Sequence, residues 1–186
     1  MAEPDQTYFE SIPWCAKLIQ SPEFAITPSF SRAYKPSTED SFFAETLKTE
    51  NTIKAAISLY KRPTPEHSSI DEVRTILSLG SGMNGNPHVC HGGAVAAMMD
   101  DAMGVLLTLY KDANNLPLSK STVTASLNVS YLQLVATPQV VQVVAKLGEI
   151  KGRKFYINAR IEDGEGTVLS RAESLWIRTK KTKPKL

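Results

Sequence analysis

The chain has 186 residues, 42% of them hydrophobic and 22% charged, the balance of one globular domain with a sizeable core and room for an extended arm. Its formal charge of +2 owes much to the last residues, RTKKTKPKL, so the body is near neutral and gives no electrostatic case for nucleic acid. Two cysteines, Cys15 and Cys90, make no disulfide framework and point to a reducing compartment, and no apolar run reaches the roughly 18 residues of a membrane span.

The start, MAEPDQTYFE, has neither a basic n-region nor an apolar h-region, so no signal peptide is expected. Residues 1–50 carry helix-like patches broken by Pro13, Pro22, Pro28 and Pro36, and read as an arm packed on the main domain. Within the arm, STEDSFFAETL at 37–47 places Ser and Thr ahead of acidic residues, as at a helix start. From residue 53 the period changes to two. Ile53, Ala55, Ile57 and Leu59 alternate with Lys54, Ser58 and Tyr60, which predicts a half-buried strand. After the loop RPTPEHSS, a second strand carries Val73, Leu77 and Leu79, and GSGMNGNP then predicts an irregular loop.

Residues 94–110, AVAAMMDDAMGVLLTLY, are helix formers and apolar almost all round, as in a helix buried on most sides. At 1.5 Å per residue it spans about 26 Å. The loop KDANNLPLSK ends it, and only strands follow. Val123, Ala125, Leu127, Val129 and Tyr131 alternate with Thr124, Ser126, Asn128 and Ser130. A Val-rich strand at 139–149 turns at Lys151-Gly152-Arg153 into KFYINARIED, where Phe155, Ile157, Ala159 and Ile161 share one face. Asp163-Gly164-Glu165-Gly166 then closes a hairpin with TVLSRAESLWIR. The order predicts an α+β fold, a sheet of about six antiparallel strands curled around one long helix. Its open edges make self-association expected.

The run His91-Gly92-Gly93 followed by Met98-Met99-Asp100 resembles the hotdog-fold acyl-CoA thioesterases, and among them the phenylacetate-degradation (PaaI-like) group of the 4-hydroxybenzoyl-CoA thioesterase superfamily. LNVSYLQLV, the GRK turn, the DGEG turn and AESLWI agree with that pattern, which covers roughly residues 50–178. The resulting layout is an N-terminal arm at 1–50, a hotdog domain at 51–180 and a basic tail at 181–186.

Elementary chemistry gives the motif its meaning. A carboxyl in an apolar helix is poorly solvated, which raises its pKa. Backbone N–H groups at a helix start are unsatisfied and partly positive, and a glycine there lets a carbonyl approach closely. Two turns of helix separate these groups, and the resemblance implies that a dimer, or a dimer of dimers, closes the gap by facing the Asp of one subunit to the HGG of the other. It implies Asp100 as general base or nucleophile, the Gly92 N–H as the group polarising the carbonyl, His91 as orienting the loop or thioester, and Thr124 as positioning water. Gly93 and Asn86, with Asn84 as the other nearby amide, are the expected substrate contacts, and Arg153 and Lys154 are candidates for coenzyme A phosphates, against the reading of an exposed basic turn.

Competing readings of the same residues are weaker. Asp101 lies about 100° round the helix from Asp100, so it faces elsewhere, toward a partner group or solvent. Cys90 and His91 are sequence neighbours pointing opposite ways and make a poor nucleophile pair. His88, Cys90 and His91 lack a second cluster to complete a metal site, so no metal is expected. Met98, Met99 and Met103 read as core or pocket lining. The expected activity is hydrolysis of an acyl thioester of coenzyme A or of an acyl carrier protein. No cofactor is expected beyond coenzyme A as part of the substrate, and no nucleic acid or membrane span. A hotdog dehydratase or hydratase and a non-catalytic acyl-thioester binding module are the alternatives. The expected location is the cytoplasm, with the peroxisome open because Pro184-Lys185-Leu186 is one residue from a Ser-Lys-Leu address.

Overall fold

The computed structural model describes residues 4–27, 29–66, 68–114 and 121–179; the basic tail and Pro184-Lys185-Leu186 lie outside the described residues. The arm opens with two short helices, α1 (Pro4–Glu10) and α2 (Pro13–Ile19), the second begun by a proline where its missing N–H costs nothing. Seven-residue helices do not stand alone in water. These are held by Phe9 and Cys15, fully buried against Ala55, Ile57, Leu59 and Ile76. Strand β1 (Phe24–Thr27) then joins the main sheet antiparallel to β2 (Ile53–Lys61), which brings the sheet to seven strands rather than about six.

Past β1 the arm reaches the opposite side of the sheet through a 3-10 turn at Phe30–Arg32 and a wide π turn at Phe42–Thr46. Phe43 and Leu47 are buried there in the main core, with Phe30 packed against it. The helix expected from STEDSFFAETL is thus a single turn. Thr38 and Asp40 have positive φ of 64° and 60°, which breaks any helical run, and Ser41 makes no capping hydrogen bond.

Strand β2 is a second correction. It is buried on both faces, not one, because α1 and α2 cover the side that would otherwise be wet. A bulge between Ile53 and Ala55 sends Ile53 to the main core and Ala55, Ile57 and Leu59 to the arm. Strand β3 (Glu72–Leu79) follows, then a small hairpin of β4 (Asn84–Asn86) and β5 (Val89–Cys90).

The long helix α3 (Gly92–Ala113) is 22 residues, starting and ending beyond the apolar run that predicts it. By length and composition α3 meets the measure of a membrane span, although no apolar run was expected to reach that length. Here its apolar side chains serve the core: Met98, Met99, Met103 and Leu106 are buried against β3, β7, β8 and β9. Strands β6 (Thr122–Tyr131), β7 (Gln139–Lys151), β8 (Lys154–Glu162) and β9 (Val168–Arg178) complete an antiparallel sheet in the order β1-β2-β3-β7-β8-β9-β6. Phe155, Ile157, Ala159 and Ile161 do face the core together. The long central helix on a large antiparallel sheet is the hotdog fold, with N-terminal helices added.

Strand β6 differs from its neighbours. Among the described residues it pairs only with β9, leaving its other edge free, and most of its residues are exposed. Tyr131 and Leu134, at and just past its end, are 55% and 74% exposed.

Candidate active site

The start of α3 is held by its surroundings before any chemistry is considered. The Cys90 N–H donates to the Val135 carbonyl at 2.8 Å and the His91 N–H to Met83 at 2.7 Å. Gly85 lets the β4–β5 hairpin lie against this segment, since a Cβ there would come within 3.0 Å of the His91 Cα. His91 is the N-cap, in extended backbone, and its Nδ1 accepts from the Gly93 N–H at 2.9 Å. The Ala94 and Val95 N–H groups donate to the His91 carbonyl. Among the described residues the Gly92 N–H meets no acceptor. Of the two glycine donors, then, one is used by the cap and one is free. The Tyr131 hydroxyl donates to the Gly92 carbonyl at 2.9 Å, tying this end of α3 to the end of β6.

About 12 Å further along α3, eight residues on, stands Asp100. The Thr124 hydroxyl donates to its Oδ1 at 2.8 Å, from the other end of β6. Burial pushes the Asp100 carboxyl above its ordinary pKa, and the Thr124 hydrogen bond offsets part of that rise. Asp101 faces the arm, where the Ser31 hydroxyl donates to its Oδ2 at 3.0 Å. Its burial is deeper. Desolvation, with Asp40 and Asp100 adding to it and Ser31 and Arg32 opposing, lifts its pKa to about 7.

Asp100 also lines a cavity of about 630 Å³ between α3 and the arm. The arm supplies Phe30, Ser31, Phe42 and Phe43, and α3 supplies a stripe through Gly104, Thr108 and Lys111. Sequence reasoning missed the arm's contribution, because nothing local in 30–43 says which part of the molecule it meets. Lys111, which the sequence reading placed in the following loop, is the one cation of α3. None of Met98, Met99 and Met103 lines this cavity; all three are core.

Asn86 is exposed in the β4–β5 hairpin, while Asn84 accepts a short hydrogen bond from the Thr137 hydroxyl. Arg153 and Lys154 are exposed at the β7–β8 turn, and Arg153 donates to the Arg178 carbonyl at 3.2 Å. Lys154 pairs with Ile177 on β9, and Ile177 pairs with Val123, so the turn lies two strands from β6 at the Thr124 end. His88 is exposed with a positive φ of 61°. Burial pushes the Cys90 thiol up to about 11 and Cys15 to about 12, so neither offers a thiolate at neutral pH. No group of three or more potential metal ligands occurs among the described residues.

Residues 88–170 match the family model described as the thioesterase superfamily. Verlamelin biosynthesis protein B of Lecanicillium sp is 27% identical over 204 residues, covering 94% of this chain and 88% of that protein. Acyl-coenzyme A thioesterase THEM4 of Bos taurus is 30% identical over 111 residues, 58% of this chain; the match spans 42% of the THEM4 length. The thioesterase HI1161 of Haemophilus influenzae superposes with a TM-score of 0.55 at 13% identity, covering 69% of this chain and 82% of its own. The E. coli PaaI protein from the phenylacetic acid degradation operon gives 0.51 at 13%, covering 60% and 75%. At such identities these structures speak to the fold. The match to the thioesterase-superfamily model thus covers residues 88–170 of this chain, and the solved neighbours share its hotdog fold.

Proposed function

We propose that the protein hydrolyses an acyl thioester of coenzyme A or of an acyl carrier protein, as a PaaI-like hotdog thioesterase with Asp100 as general base or nucleophile. The observation that carries this is the placing of Asp100: a partly desolvated carboxyl, held by Thr124, at the wall of the large cavity. A carboxylate whose pKa is raised is the better base near neutral pH. Acting as base, it takes a proton from water as the water oxygen bonds to the thioester carbonyl carbon. Negative charge forms on the carbonyl oxygen, and the free Gly92 N–H, at the partly positive helix start, is the donor suited to it. Collapse breaks the C–S bond, and Asp100 returns its proton to the departing thiolate. The products are the free acid and the thiol. No metal or redox group enters these steps.

Within one chain the Gly92 N–H and Asp100 are two helical turns apart, so the site is proposed to close across a dimer. The free edge of β6 supports this. An antiparallel β6–β6 pairing about a two-fold near Leu127 sets Thr124 opposite the partner's Tyr131, which brings the two halves of the site together. Coenzyme A as the carrier is supported by the THEM4 relatives, and Arg153 and Lys154 are proposed to meet its phosphates.

Thiol release across a panel of acyl-CoA substrates tests the reading. Asp100→Asn should lower the rate by about 10²–10⁴-fold, while Asp101→Asn keeps most of it. An undiminished rate in Asp100→Asn rejects the mechanism. Saturable acyl-CoA binding without turnover would mark a binding module, and hydration of crotonyl-CoA a hydratase.

A further inference from the structure

The cavity beside Asp100 is not a simple greasy tunnel. Asp100, Gly104, Thr108 and Lys111 form one stripe along α3, spaced four, four and three residues apart. Phe30, Phe42 and Phe43 of the arm face that stripe. At the far end Lys111 is only 8% exposed, yet its ammonium makes no hydrogen bond or ion pair with any described residue. Lys35, the other cation in the wall, is already paired with Asp40. Thr122 lines the same cavity, and its buried hydroxyl has no partner either. Among the described residues, Lys111 is thus the cation in this cavity's wall that no ion pair already holds.

Burial pushes the Lys111 ammonium below its ordinary pKa, against the pull of Asp112, so an anion brought against it in the cavity would favour its charged form. A plain alkyl chain entering the cavity would leave the Lys111 ammonium unpaired in an apolar surrounding. A chain ending in a carboxylate would pair with Lys111. Gly104 keeps the path between the two ends clear, because it places no side chain on the stripe.

Resting on the thioesterase reading above, we propose that this cavity holds the acyl group and that Lys111 is a specificity residue selecting acyl chains with an anionic far end, ω-carboxyacyl thioesters. Eleven residues separate Asp100 from Lys111, at most about 16 Å along the axis, and the lysine side chain leans back toward Asp100. The chain selected is therefore of intermediate length.

The test compares kcat/KM for ω-carboxyacyl-CoA and unsubstituted acyl-CoA esters of equal carbon number, over a series of lengths, by thiol release. The wild type should favour the ω-carboxyl ester at one intermediate length. Lys111→Met, nearly isosteric, should cut that preference about tenfold or more, chiefly through KM, and Lys111→Arg should restore part of it. The free diacid of the preferred length should raise the Tm of the wild type and not that of Lys111→Met, which reads binding without turnover. A wild type favouring the unsubstituted ester at every length, or a preference unchanged in Lys111→Met, overturns the proposal. Asp100→Asn separates the two readings: cleavage surviving there rejects the catalytic assignment, while a Lys111-dependent preference still upholds this one.

Discussion

Asp100 and Asp101 are adjacent, both have raised pKa values, and only their surroundings tell them apart. Desolvation and the motif point to different neighbours here, because the carboxyl lifted to about 7 is Asp101, which Ser31 of the arm satisfies. The HGG-to-Asp spacing was legible in the sequence and singled out Asp100. The environment of Asp101 was not, since it is made by a residue 70 positions away. That environment has a measurable consequence. A carboxyl raised above its unfolded value of about 3.9 favours the folded state while protonated, so its contribution is present below about pH 4 and is lost as pH rises through 7. Asp101→Asn, which stays neutral, should match the wild type in Tm near pH 4 and gain on it progressively up to about pH 7, levelling off above; a constant difference across that range would contradict the assignment. Ser31, Arg32, Asp40 and Asp100 remain in both proteins, so the difference isolates Asp101.

Elements differed in legibility for physical reasons. Strands β8 and β9 show clean alternation because each has one face on α3, and the turns before them carry Gly152 and Gly166 at the positive φ their hairpins need. Strand β1 was hidden: four residues between prolines carry too short a pattern to read. Strand β2 was read with one wet face because its cover, α1 and α2, comes from a separate part of the chain. The start of α3 was hidden by its glycines, which no propensity argument places in a helix. Gly104 is the one glycine deep within α3, and a Cβ there would lie 3.6 Å from the Trp176 ring, ordinary contact. Gly104→Ala should therefore stabilise the fold by up to about 1 kcal/mol, seen as a higher denaturation midpoint, while narrowing the acyl path. A destabilised Gly104→Ala would mean that the helix is tighter there than the geometry indicates.

At the scale of the whole molecule, the proposed split site can be tested by mixing subunits. Gly92→Pro removes the free N–H at the first helical position, where proline is well tolerated, and the extended His91 ahead of it suits a following proline. It should fold and lose about 10²–10³-fold in rate. Refolded mixtures of Gly92→Pro with Asp100→Asn should regain activity if the two groups meet across subunits, because each mixed dimer then holds one intact site. A site within one chain predicts no recovery. The arm adds a further constraint. By placing β1 outside β2, it ends that side of the sheet in a four-residue strand, while β6 offers ten residues on the other. Short edges make poor templates for a new strand. Among the described residues the sheet thus has a valence of one: a second copy joining at β6, as proposed, would use the long edge of both chains and leave only short edges for further growth.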